Sequence, residues 1–200
     1  MKHITHSTKK TGGLFHVPCS MFHGRGFTLI ETTVAVGVFG VVILAIMGAF
    51  LISLQAQRSA LAEKAVAENV NFALEFMSRQ MRVAQRAQDA SCITTGNTYE
   101  VTGGGTQISF INADDECITF SVVNSAITYE TDVVSAVPIT NNDLVNVSSL
   151  DFIAQGETDA DSEQPRVTIS IQAHGAGPSP EVQGVQLNVQ TTVSARALDT

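Results

Sequence analysis

Tryptophan is absent from this 200-residue chain, tyrosine appears twice, and only 15% of the residues are charged. About a quarter is usual for a soluble domain, so the charge deficit needs a location. It is local: no Asp, Glu, Lys or Arg occurs in the 26 positions from Thr32 to Gln57. Proline is missing from Met21 to Val137, which leaves nothing in that stretch to forbid one long helix. Basic residues are scarce beyond the N-terminal arm. Lys2, Lys9, Lys10 and Arg25 take four of the eleven, so residues 27–200 carry seven against all nineteen acids, a formal charge of about −12. Such a surface repels phosphate, and a nucleic-acid partner is not expected.

What fills the gap in charge is a membrane-grade segment. As a helix the uncharged run spans about 39 Å at about 1.5 Å per residue, more than the roughly 30 Å of bilayer hydrocarbon. A removable secretory signal is the first alternative, with Ala60-Leu61-Ala62 as a small-x-small cleavage match. Its apolar region, however, is typically only about 7–15 residues long. Four basic residues before the run, against Arg58 and Lys64 after it, place the N-terminus in the cytoplasm and residues beyond about 58 outside.

Glu31 opens the apolar stretch, where a carboxylate costs free energy unless it reaches the headgroups or meets a partner. It stands in Gly24-Arg25-Gly26-Phe27-Thr28-Leu29-Ile30-Glu31-Thr32, behind a basic arm and ahead of the long apolar run. This string resembles the type IV prepilin family, whose leader ends in glycine before Phe-Thr-Leu-Ile-Glu. The resemblance implies that a prepilin peptidase cuts between Gly26 and Phe27 and methylates the new amine of Phe27, with Arg25 holding the leader in the cytosol. Methylation to a secondary amine keeps the charge, because a free α-amine is mostly cationic at neutral pH. Glu31, four residues from Phe27, is then the partner of its own amine or of a neighbouring subunit's. Removing either charge leaves the other buried and uncompensated.

Beyond the span, Val66, Val70, Ala73, Met77, Met81 and Ala84 recur at helical steps, with Phe72, Phe76 and Val83 widening the stripe. A helix from Phe27 to about Arg86 is expected, amphipathic over 58–88 and packed on the chain's own sheet or coiled with another subunit. Gly37, Gly40 and Gly48 weaken its membrane half, which suits close helix contact or local melting. From about Asp89 the composition turns to short alternating runs. The expected strands are Thr98–Thr102, Thr106–Ile111, Cys117–Val123, Ile127–Val133, Leu144–Ile153, Arg166–Ala173 and Gln186–Ala197. An antiparallel sheet on the helical stripe buries both faces. The expected class is therefore α+β and pilin-like, in four parts: a cleaved leader 1–26, a span or filament-core helix 27–57, an amphipathic helix 58–88 and an extracytoplasmic β-rich domain 89–200. Phe72–Arg82, 164–171 and 189–194 also look like minor pilins of the PilW kind and pseudopilins of the J kind.

Once the leader with Cys19 is gone, Cys92 and Cys117 form an even pair outside the cytoplasm, either bridged or as two buried thiols. With His3, His6, His16 and His23 also in the leader, His174 is the single histidine left. Two cysteines and one histidine fall short of a zinc set. Glu157, Asp159, Asp161 and Glu163 alternate in a segment that reads as a solvated loop, with calcium as the alternative, although the glycine and later glutamate of an EF-hand are missing. Asp114 and Asp115 read as an exposed turn. No Gly-x-Ser-x-Gly elbow, phosphate loop or His-Glu-x-x-His occurs, so neither an enzyme nor a cofactor is expected. The expected function is a minor pilin or pseudopilin held in the inner membrane, whose partners are the prepilin peptidase, other subunits and the assembly platform. The alternative is a membrane-tethered extracytoplasmic binding or sensor domain that does not polymerise.

Overall fold

The structure is a computed structural model that describes residues 26–157, 163–178 and 180–196. The chain forms one long N-terminal helix and a C-terminal antiparallel β domain, an α+β arrangement. It divides into two units, residues up to 47 and residues from 48 onward. In the first unit the helix is exposed throughout its described residues. The buried core lies entirely in the second.

Helix α1 runs Leu29–Arg82, 54 residues, and holds a stretch long and apolar enough to cross a membrane. Its buried residues are Val66, Val70, Ala73, Leu74, Met77 and Met81. Phe76 is partly buried, but Phe72 and Val83, expected to widen the stripe, are 60% and 39% exposed. The stripe is therefore narrower on that flank and gains Leu74 instead.

α1 stops short of the expected end at about Arg86, with neither glycine nor proline to stop it. The N–H groups of Val83 and Ala84 reach back only three residues, to Gln80 and Met81. Gln85 then leaves the helix, its N–H donating to the Ile111 carbonyl at 2.8 Å. Two distant groups satisfy the last helical carbonyls. The Tyr99 hydroxyl donates to Met81 O at 2.7 Å, and the Arg196 N–H donates to Arg82 O at 3.0 Å. Tertiary donors thus do here what a C-terminal glycine motif does elsewhere.

The strands form two sheets where a single sheet was expected. The first has the order β1 (Glu100–Thr102), β2 (Gln107–Ile111), β3 (Cys117–Val123), β4 (Ala126–Thr131) and β5 (Val137–Pro138). The second has β6 (Val145–Gln155), β7 (Arg166–Gly175) and β8 (Gln186–Ser194), with the short helix α2 (Pro180–Gln183) before β8. Alternation in a sequence specifies which face of a strand is buried but not which strand lies beside it. Among the described residues one backbone hydrogen bond joins β6 to the first sheet, at the tip of the β3–β4 hairpin, where Val147 N–H donates to Ser125 O at 2.8 Å. A register shift between Val147 and Ser149 bends β6 at that point. The hairpin itself is a two-residue turn with both central φ angles positive, 51° at Asn124 and 63° at Ser125, which matches the twist of paired strands.

Both sheets turn apolar faces to the α1 stripe and share one core. Phe76 packs edge-on against Tyr129 at 5.3 Å and Phe120 at 6.1 Å between ring centroids. Phe120 in turn meets Phe110 at 6.0 Å. The second sheet supplies Leu150, Phe152, Val167, Ile169 and Ile171. Gly175 allows α2 to close onto β7, because a Cβ there would collide with the Val182 carbonyl.

Candidate processing and assembly site

The site is built where the apolar helix begins. Gly26, Phe27 and Thr28 are exposed and outside any regular element, and α1 starts at Leu29. The Gly26–Phe27 peptide bond therefore lies in irregular chain, where neither residue is committed to a helix. A Cβ on Gly26 would meet nothing within 4 Å, so no packing inside this chain demands glycine.

Thr28 sets the start of the helix. Its hydroxyl accepts the Glu31 N–H at 3.3 Å, and its carbonyl accepts the Thr32 N–H at 3.1 Å. Sequence reasoning passed over Thr28 as a structural residue. Its signal was legible all the same: Thr-x-x-Glu before an apolar run is a capping-box pattern, with the acid in the positive first turn of the helix. The hydroxyls of Thr32 and Thr33 donate to Leu29 O at 2.9 and 2.7 Å, which satisfies two polar side chains within the apolar segment.

Glu31 occupies the first turn of α1 and is exposed. Among the described residues its carboxylate has no ion-pair or hydrogen-bond partner. The expected four-residue helical spacing from Phe27 to Glu31 does not hold. Phe27 precedes the cap, and the helix that carries Glu31 begins two residues after it. Arg25 lies outside the described residues. Farther along, Gly37, Gly40 and Gly48 each have open space where a Cβ would stand, and α1 carries them without any close contact from its own chain.

Cys92 and Cys117 are joined by a disulfide, with Cα atoms 5.5 Å apart and a sequence separation of 25. The bridge fastens the irregular segment after α1 to the first residue of β3. In that segment Ala87 and Gly96 exchange bonds with neighbours across the loop: Ala87 N–H donates to Asn97 O and Gly96 N–H to Ala87 O, both at 2.9 Å. Constraining the unfolded chain by this loop stabilises the fold by about 3.5 kcal/mol in the chain-entropy model.

The remaining candidates are placed singly. His174 sits on β7 opposite Asn146 and Gln186 and lines a polar recess of 180 Å³ with Ser148, Gln172 and Asn188. Asp114 and Asp115 lie in the β2–β3 turn. There the Asn112 side-chain oxygen accepts the Asp114 and Glu116 N–H groups at 2.8 and 2.9 Å, and Asp115 takes a φ of 61°. Asp159 and Asp161 fall outside the described residues. Among the described residues no three His, Cys, Asp or Glu side chains gather as a metal set. Burial pushes the Tyr99 phenol well above its usual pKa. Burial, with the negative Glu116 nearby, raises Tyr129 as well. Compared with protein-family models, with curated proteins and with solved structures, the chain matches none.

Proposed function

We propose that this chain is a minor pilin or pseudopilin, a structural subunit of a type IV pilus or a type II secretion-like filament. The observation that carries the reading is the junction at the start of α1. An irregular, accessible Gly26-Phe27-Thr28 leads into a capped helix whose first turn bears an unpartnered acid and whose next eight turns or so are apolar and uncovered. A prepilin peptidase at the cytoplasmic face receives Gly26-Phe27 as extended chain, cuts between them and methylates the Phe27 amine. The chain then waits in the inner membrane as a single span with the β domain outside, where the Cys92–Cys117 bridge persists.

In the filament the apolar half of α1 packs against the same half of neighbouring subunits. Glu31 there meets the cationic Phe27 amine of the subunit added before it, and the pairing offsets two desolvated charges.

Two substitutions test this. Gly26→Val is expected to hold the protein at precursor size in the membrane, and wild-type migration on a denaturing gel overturns the processing step. Glu31→Ala is expected to be cleaved normally yet excluded from sheared filaments. Normal incorporation sinks the charge-pairing argument.

A further inference from the structure

β8 pairs with β7 on one side and forms the outer edge of the second sheet. Two bonds flanking the ladder set its direction: Gly175 N–H donates to Val185 O at 3.0 Å, and Ala195 N–H donates to Pro165 O at 2.9 Å. The register between them has no shift. Odd-numbered residues of β8 therefore turn their backbone groups toward β7, and even-numbered residues turn theirs outward. No hydrogen bond among the described residues engages the outward N–H or C=O of Asn188, Gln190 or Thr192.

An edge of this kind is ordinarily blunted by charge, proline, a bulge or brevity. The other edges of this fold are blunted. β5 has two residues, one of them Pro138, and β1 has three and runs into the Gly103–Gly105 turn. β6 carries the register shift, and Ser125 takes its Val147 N–H. β8 has nine residues, Gln-Leu-Asn-Val-Gln-Thr-Thr-Val-Ser, without charge, proline or bulge, in a strongly acidic chain. On its core side Leu187, Val189 and Thr191 are only half-covered. Its other side is a row of exposed amides and hydroxyls.

From this edge we infer that β8 accepts a strand from a different polypeptide, uncharged and alternating between apolar and small polar residues. Main-chain hydrogen bonds to Asn188, Gln190 and Thr192 carry the contact, and the apolar row of the incoming strand completes the cover of Leu187 and Val189. Among its described residues a second copy of this chain can offer only its own β8, since its other edges there are blunted. That pairing is antiparallel, with a two-fold axis normal to the sheet. The segment Val66–Met81 packs on the core face of the sheets, so the two-fold reverses it between copies. Subunits of a filament align their helices; the exclusion of a second copy, and that alone, rests on the proposed function.

The experiment uses the full chain in detergent and a synthetic nonapeptide of residues 186–194. This peptide has the required chemistry and, free of α1, is not bound by helix orientation. Amide exchange at Asn188, Gln190 and Thr192 is expected to be fast in the chain alone and at least about tenfold slower at saturating peptide. Odd-numbered amides of β8 stay protected in both states. Gln190→Pro removes a donor that the monomer does not use, so the variant is expected to keep its Tm and lose the response. Gln190→Lys serves the same purpose if the proline variant does not fold. A scrambled peptide is expected to protect nothing. Unchanged exchange at the three amides, or a full response from both Gln190 variants, overturns strand acceptance. A disulfide-linked homodimer of Gln190→Cys in intact membranes overturns the different polypeptide in favour of a second copy. The Gly26→Val precursor is expected to respond as wild type does, so a failure of the processing reading leaves this result standing.

Discussion

Within the single helix α1, residues 29–61 and 62–82 present opposite cases. The first stretch is the more apolar, yet every residue in it except Leu54 is exposed. The second alternates charged and apolar residues and buries six side chains. Burial here follows the supply of a complementary face rather than hydrophobicity itself. Two sheets present such a face to Ala62–Arg82, and the uncovered stretch is long and apolar enough to cross a membrane.

The sharpest way to break that contrast is to truncate one side chain on each side of it. Phe120→Ala, which empties a site at the centre of the shared core, is expected to cost about 3–5 kcal/mol in denaturant unfolding. Leu44→Ala removes a side chain that is 74% exposed and is expected to stay within about 0.5 kcal/mol of wild type for the chain in detergent. Similar losses from both dissolve the distinction.

Next in size is the bridge. Cys92→Ser with Cys117→Ser is expected to cost about 3.5 kcal/mol, read as a lower urea midpoint for the β domain. The helicity of the span is expected to survive it. A common transition for both regions shows instead that the bridge supports the whole of α1.

The smallest effect sharpens the comparison at the point where α1 ends. Tyr99→Phe removes the donor to Met81 O and is expected to cost about 1–2 kcal/mol. It also carries a pH signature. Burial raises the pKa of the folded phenol above its ordinary value of 10.0, so its contribution is fully present below about pH 10 and is lost as pH rises toward the folded value. While only the unfolded phenol ionises, the slope is about 1.4 kcal/mol per pH unit. Stability measured between pH 9 and 11 is expected to fall in wild type and to fall less in Tyr99→Phe. The remaining slope comes from Tyr129, raised in the same direction. Identical pH profiles refute the assignment.

The elements themselves were largely legible, because alternation and helical spacing are local signals. Val66, Val70, Ala73, Met77 and Met81 could be read as one face, and most strands stand within two residues of their expected limits. What could not be read depended on groups distant in sequence. The end of α1 is set by Tyr99, Ile111 and Arg196. The division into two sheets lies in which strands pair, with β6 laddered to β7 and not to β4 or β5, and β5 is too short to carry a pattern. Exposure of Phe72 reflects where the first sheet stops covering the helix, which spacing alone does not encode. At the candidate site the proposed cut position and the acid were visible as a motif. The cap at Thr28, which starts α1 after Phe27, needed coordinates.

The bond from Arg196 to Arg82 O imposes an order of events. Arg82 leaves the ribosome long before Arg196, so during synthesis the helix end is held through Tyr99 and Ile111 alone, and Arg82 O lacks its N–H donor. Closure waits until β8 has docked on β7. A chain whose last strand is still unplaced thus differs from a finished one at the end of α1 as well as in the sheet, so completion of the fold is registered far from the strand that completes it.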